Sequence, residues 1–576
     1  MPRLELLDMP LEVASNIFQL LPGKDQKNLA LTCSAVLNIV APTLYSAVRL
    51  YYDEPGDDGA FNGLPRINDI QHLISSQQFP LAYAKHLSIE RKEPHSIAAK
   101  SKPRPFTSAK NDQIELTEMA DRGLELILKR FGDNQLKSIR LAHQTTYKTF
   151  ALICKHQKKL RKLDLGHFKP GGRRSKVPNQ ILTPGSLGLE FLEIRDIDDR
   201  VTCLTTVMGI LHQNSATLRR LRIGDPKHPG KPRLTASSWA RRPRSKTKLP
   251  FAKIDLLALK QISIIHDHSA ERFWDIFQNV VHCGGELSHI RISCFTDPYV
   301  LVQKLVAKGA DGIKSIQISN CRRRGQGAFQ VPVHNQLPRL SLLETVQLQM
   351  CTHEEGEFLP AYISRSTTKR LWLQCTANCD PTTCRSMSGL LDTKSNITLS
   401  PDNWPMLEEL AIGAPQLINP ATSHPEDSLS KLPMLASLKV LRLLQWQTAV
   451  QIKCPPTAER LQLQVQAFVD TLYSWCAGAY KKLPNLRLIV VDTEIGGGCP
   501  GTAIHAPLYF VVYHFGQMPQ ADGIGLPLTI NVDYDNALKL CNEVGCSSYL
   551  LEHGPPAPEG LWDDYSTNST GISAEI

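Results

Sequence analysis

One pattern, apolar-x-x-apolar-x-apolar, recurs along most of this 576-residue chain and limits its fold more than any other feature. It reads AKHLSI (84–89), LKSIRL (136–141), LRKLDL (160–165), LEFLEI (189–194) and LRRLRI (218–223). It continues as LKQISI (259–264), LSHIRI (287–292), IKSIQI (313–318), LETVQL (343–348) and TKRLWL (368–373). LEELAI (407–412), LKVLRL (438–443), AERLQL (458–463) and LRLIVV (486–491) complete the set of fourteen units. The alternation that closes each unit has the period of a short strand, whose successive side chains face opposite ways. Helix-like stretches lie between units, at 147–159, 202–215 and 465–480. A strand–helix unit this short cannot bury its own apolar edge, whereas units stacked in series bury one another.

The motif resembles the leucine-rich repeat, over about 400 residues and with spacings mostly of about 20–31 residues. Cys321 and Cys351 stand where that family places an Asn or Cys after the strand, whereas Gln144, Phe168 and Pro226 depart from it. The resemblance implies an irregular α/β solenoid with parallel strands on its concave face and helices on its convex face. Two intervals are long, Leu221 to Ile262 and Leu371 to Leu410, and predict insertions at 225–253 and 375–402; a third insertion, 90–112, follows the first unit. Strand residues that alternate with the core leucines should form an exposed row: Ser138, Arg140, Lys162, Asp164, Glu193, Arg195, Arg220, Arg222, Ser263, His289, Arg291, Gln317, Gln347, Arg370 and Trp372. Arg140, Lys162, Arg195, Arg220, Arg222, Arg291, Arg370 and Trp372 are the candidate substrate-binding residues. Guanidinium groups fork onto carboxylates and phosphates, which points to an acidic or phosphorylated segment near Arg195, Arg220 and Arg222.

The N-terminal stretch MPLEVASNIFQLLPGKDQKNLALTCSAVLNIVAP (9–42) carries a surplus of apolar side chains. Ala14, Ile17, Phe18 and Leu21 fill the single stripe that one amphipathic helix needs, and Leu11, Val13 and Leu20 spill beyond it. Pro10-Leu11-Glu12-Val13, then Ile17, Leu20, Leu21 and Pro22, a second helix with Leu29, Leu31 and Cys33, and a third over 34–50 ending in Leu44-Tyr45 resemble an F-box. The Trp frequent after the cysteine in that family is absent here. The resemblance implies a three-helix unit that docks on the adaptor subunit of a cullin–RING ubiquitin ligase, through Pro10, Leu11, Val13, Ile17, Leu20, Leu21 and Leu29. Burying the spare apolar face on a partner would stabilise the complex by roughly 25 cal/mol per Å². The same residues could instead cap the first repeat.

Charge is unevenly distributed. Residues 129–260 hold 29 Lys and Arg against 9 Asp and Glu, a net +20, whereas 492–576 hold one Lys against 11 acids, a net −10. No apolar run is long enough to span a bilayer and the N-terminus does not read as a signal peptide, so a cytoplasmic or nuclear location is expected. The fifteen cysteines then read as reduced. HEEGE (353–357) lacks the second His of a zinc helix. CTANCDPTTC (375–384) would need a fourth zinc ligand, with Cys351 and His353 as candidates. GGGCPG (496–501) lacks the Lys of a phosphate loop. The basic segment 225–253 suits nuclear import or nucleic-acid contact, but its most basic part, KHPGKPRLTASSWARRPRSKTK (227–248), has Trp239 as its one aromatic residue and makes no stacking platform.

These observations predict an all-helical F-box segment over 1–50, a connecting loop and helix over 51–80, a leucine-rich repeat solenoid over 81–491, and an acidic C-terminal cap and tail over 492–576. The function they imply is that of a non-catalytic substrate receptor in an SCF-type ubiquitin ligase, without metal, cofactor or membrane contact. A non-degradative repeat scaffold and a nuclear or nucleic-acid-binding protein using 129–260 are the alternatives.

Overall fold

The structure is a computed structural model. It describes residues 9–21, 23–52, 81–91, 122–168, 187–197, 201–224, 253–265, 276–277, 279–293, 312–319, 340–350, 367–375, 404–413, 437–446, 462–470, 472, 486–493, 507–513, 528–546 and 551. The chain divides into two units, with the boundary between Glu286 and Leu287.

The first unit opens with helices α1 (Leu11–Gln19), α2 (Gly23–Ala30) and α3 (Ser34–Leu44). They enclose a small core of Ala14, Phe18, Ala30, Val36, Val40 and Leu44. The third helix, expected to continue to Leu50, stops at Leu44, and residues Ala47–Tyr52 form a strand, β1, instead. Side chains from Ala47 to Leu50 alternate between partly buried and buried, and β1 gains a parallel partner in β2 (His86–Arg91). The chain thus enters its repeat array before the first motif found in the sequence.

Beyond β2 the first unit adds β3 (Ser138–Thr145), β4 (Lys162–Phe168), β5 (Phe191–Ile197), β6 (Arg220–Ile223) and, after the short β7 (Ile254–Leu256), β8 (Gln261–Ile265). Apart from β7, which pairs with β9 (Val281–Cys283) in a separate parallel ribbon, these strands are all parallel neighbours in chain order. The register places Val48, Leu87, Ile139, Leu163, Leu192, Leu221 and Ile262 side by side, and their side chains are buried. Helices Tyr147–His156 and Val201–Gln213 occupy two of the intervals where helix-like sequence was found.

Two buried amides tie helices to strands. Gln157 accepts from the Leu136 N–H at 2.9 Å and donates to the Gly132 carbonyl. Asn214 accepts from the Leu189 N–H at 3.0 Å and donates to the Ile210 carbonyl. Backbone groups at the entry to a buried strand need such partners, and a side-chain amide offers both a donor and an acceptor.

The second unit repeats the scheme with β10 (His289–Ser293), β11 (Ser315–Ser319), β12 (Thr345–Met350), β13 (Arg370–Cys375), β14 (Glu409–Gly413), β15 (Val440–Trp446) and β16 (Leu488–Thr493), parallel throughout. Thirteen of the fourteen predicted units therefore form strands in register. The exception is AERLQL (458–463): a helix runs over 462–470, and Leu463, predicted to be core, is exposed. Gln462 and Leu463, the described part of that motif, belong instead to a helix that buries Val465, Phe468 and Val469.

After β16 the direction reverses. Strands β17 (Leu508–Tyr513) and β18 (Leu528–Val532) add antiparallel to the sheet. Gln466 Oε1 accepts from the Thr529 N–H at 2.8 Å and Gln462 Nε2 donates to the Thr529 carbonyl at 3.2 Å, so a helix satisfies part of the last strand's outer edge. The helix Tyr534–Glu543, capped by Asp533 through the Asn536 N–H, then packs through Ala537 and Cys541 on Trp372, Ala411, Val440, Leu488 and Val490. The expected insertions 225–253 and 375–402 lie outside the described residues except for Lys253 and the backbone of Cys375, as do the segments 53–80 and 552–576. No helix among the described residues is long and apolar enough to cross a membrane.

Truncating Leu163, at the centre of the first unit's buried row, to Ala should lower unfolding free energy by about 2–5 kcal/mol in denaturant titrations. Gly224 has φ +98° and its added Cβ would strike the Ile265 carbonyl oxygen. Gly224→Ala should therefore destabilise the chain by at least about 1 kcal/mol in the same assay.

Candidate functional site

The N-terminal helices leave a set of apolar side chains outside their own core. Leu20 is 85% exposed, Leu31 79% and Val13 44%, with Leu37 also exposed. Of the residues predicted to dock on an adaptor, Val13, Leu20 and Pro10 are therefore open to solvent. Pro10 also starts α1, its carbonyl accepting from the N–H groups of Val13 and Ala14. Ile17 is half-buried, and Leu21 and Leu29 pack partly against the helical core. The Leu11 side chain lies outside the described set, as does Pro22. Leu31 was present in the motif but not among the predicted contacts; its place in a turn after α2, off the helical stripe, is what exposes it.

The predicted exposed row exists as a register, but much of it is buried. Asp164 is 4% exposed and Glu193 6%, and Ser263, Gln317 and Gln347 are buried as well. Neighbouring strands lie only ~4.8 Å apart, so long side chains in a polar row fold across one another. In the first unit Arg49, Ser88, Arg140, Asp164, Glu193, Arg222 and Ser263 are aligned. Arg195 Nη2 lies 2.8 Å from Asp164 Oδ2, and its Nε donates to Glu193 Oε1 at 3.0 Å. Arg140 Nε lies 3.2 Å from Asp164, and Arg222 Nη1 3.7 Å from Glu193. Lys162 sits 4.8 Å over the Phe191 ring.

Arg140, Arg195 and Arg222, offered from sequence as anion receptors, thus already hold internal carboxylates. Four arginines and lysines around two acids leave the cluster positive, and Arg140 remains about half exposed at its side chain. Burial, then the charge of Glu193, pushes Asp164 up to about 6 despite Arg195, Arg140 and Lys162. Burial also holds the Lys162 ammonium below its usual range.

The second unit corrects the expected Arg370–Trp372 anchor. Trp372 is 1% exposed, lying beneath Arg442 at 4.8 Å and packed with the C-terminal helix. Arg370 Nε donates to the buried Glu409 at 3.1 Å. Arg291 lies half-buried on β10, in register with Gln317. Two further elements were missed: the helix Tyr534–Glu543 as the cover over Trp372, and Arg442 as its stacking partner. The Arg442 position was readable as the fifth residue of LKVLRL; the cover comes from more than a hundred residues further along and carries no repeat signal.

Among the described residues no group of three His, Cys, Asp or Glu side chains could hold a metal ion. HEEGE, GGGCPG and the cysteines after Cys375 in CTANCDPTTC lie outside those residues. Burial pushes the thiols of Cys154 and Cys283 up to about 12, which removes them as nucleophiles at neutral pH.

Because the folded Asp164 binds its proton more tightly than an unfolded carboxyl at 3.8, the native state holds more protons between those two values. Its contribution to stability is full below about pH 4 and is lost as pH rises through about 6. Relative to Asp164→Asn, the wild-type chain should lose up to about 3 kcal/mol of unfolding free energy across that window, measured by denaturant titration at a series of pH values.

Compared with models of known protein families and with curated proteins, the chain matches none.

Proposed function

We propose that this chain is the substrate-recognition subunit of an SCF-type cullin–RING ubiquitin ligase. The single observation that carries the reading is the exposure of Val13, Leu20 and Leu31, large apolar side chains left in water by three helices that already have a core of their own. Exposed apolar groups of this kind mark a surface that a partner covers. The helices lead directly into an array of parallel strands, which suits a receptor: the helices dock, and the strand array holds a second protein. Such a subunit performs no bond chemistry. It raises the effective concentration of a bound protein's lysines near a ubiquitin-charged enzyme. A cytoplasmic or nuclear location accompanies this reading.

Val13→Asp/Leu20→Asp tests it without touching the helical core, because both side chains are exposed. Purified adaptor subunit should be retained by the wild-type chain and released by the variant, with an unchanged unfolding midpoint. Retention by both, or by neither, would remove the docking role. Adaptor binding with no ubiquitin transfer to any captured protein would leave a non-degradative scaffold instead.

A further inference from the structure

In each unit the residue immediately before a strand bonds through its backbone N–H to the carbonyl of the equivalent residue one strand earlier. In the first unit this rim runs Lys85, Lys137, Arg161, Glu190, Arg219, Lys260, at N···O distances of 2.7–2.9 Å. All the cations on it are exposed. With strands ~4.8 Å apart, the six positions extend about 24 Å. Five carry positive charge and one negative.

The same positions in the second unit follow a different rule. They read Ser288, Lys314, Glu344, Lys369, Glu408, Lys439, Arg487, joined by the same backbone bonds at 2.8 Å beyond Ser288. Each acid there stands between two lysines, and Lys369–Glu344 at 3.8 Å and Lys439–Glu408 at 3.5 Å are ion pairs. In the first unit Arg161 reaches Glu190 at 3.8 Å and Lys260 reaches Glu286 at 3.7 Å. Lys85, Lys137 and Arg219 form no ion pair among the described residues. The field they create is felt one residue inward: burial, then the charges of Lys137, Lys85 and Lys162, hold the His86 imidazole below its usual range.

On the same backbone geometry the first rim carries five cations and one acid, with Lys85, Lys137 and Arg161 in succession, against four cations and two acids on the second, where only Lys439 and Arg487 adjoin. Like charges side by side destabilise a sheet edge, and among the described residues no ion pair offsets Lys85 beside Lys137. Single-stranded nucleic acid is held by exposed aromatic faces that stack on its bases, and the aromatic ring in the adjacent row, Phe191, is buried beneath Lys162. We infer that the rim Lys85–Lys137–Arg161–Arg219–Lys260 is a docking surface for an extended acidic polypeptide lying across the strands. This names the ligand class of the receptor reading and rests on it, although peptide binding does not require the adaptor.

The test uses the full chain and a fluorescently labelled oligoglutamate peptide, followed by anisotropy at low and at physiological salt. Lys85→Glu/Lys137→Glu/Arg219→Glu should weaken binding about tenfold or more, and added salt should weaken the wild-type complex. Lys314→Glu/Lys369→Glu/Arg487→Glu, the matching reversal on the second rim, should leave it within about twofold. Because these side chains are exposed, unfolding midpoints should not move; a Gln series at the same three positions gives an intermediate loss should the reversed chain be unstable. No binding by the wild type at low salt would overturn the inference, as would equal losses from the two rims. Tighter binding of single-stranded RNA that is lost on the same reversal would also overturn it and reassign the rim to nucleic acid. Adaptor retention, measured in parallel on the same variants, separates failure here from failure of the docking role.

Discussion

The structure depends on the sideways stacking of buried aliphatic side chains between parallel strands. Leu163 can be buried because Ile139 and Leu192 stand one strand away on either side, in register, and the same holds along the row. Since the side-chain period of a strand is two, a slip of one residue would turn every such leucine onto the polar face. Register is therefore enforced by the core itself. Amides such as Gln157 and Asn214 secure the strand entries once that register is set, because they satisfy backbone groups that burial would otherwise leave without partners.

The opposite face shows what the same stacking does to charge. Fifth positions of consecutive units carry Arg140, Asp164, Glu193 and Arg222, so opposite signs meet across strands, and Arg195 crosses over both acids. Two carboxylates side by side and largely removed from water would be unfavourable alone. The surrounding guanidinium groups make them tolerable and tie up capacity that would otherwise serve a ligand. An internal network of this kind gives alignment to the face but little net stability. The exposed rim, where Lys85, Lys137 and Arg219 form no ion pair among the described residues, is chemically better suited to recruit an anion.

The two units share a backbone plan and diverge in how that face is used. In the first it is charged and paired within itself. In the second it turns apolar at Trp372, Ala411, Val440 and Leu488, and the helix Tyr534–Glu543 lies over it.

Much of this was legible in the sequence, because the repeat is a local signal: thirteen strands and the stacked leucines follow from spacing and period, and the parallel order was what the resemblance to leucine-rich repeats implied. The charge pairing was also readable, once LKSIRL, LRKLDL, LEFLEI and LRRLRI are laid in register. AERLQL misled because its apolar spacing fits a helix as well as a strand, and the choice falls to packing around it. Three features needed tertiary structure. Strand β1 forms only because β2 offers it an edge. Trp372 is buried only because a helix from the end of the chain reaches it. The contrast between the two rims emerges only when backbone bonds bring together residues tens of positions apart. The sequence by itself determined what repeats and which side chains it buries, since those depend on neighbours a few residues away. What covers each face, and which charges stay unpaired, was decided by contacts between distant segments, which no local pattern encodes.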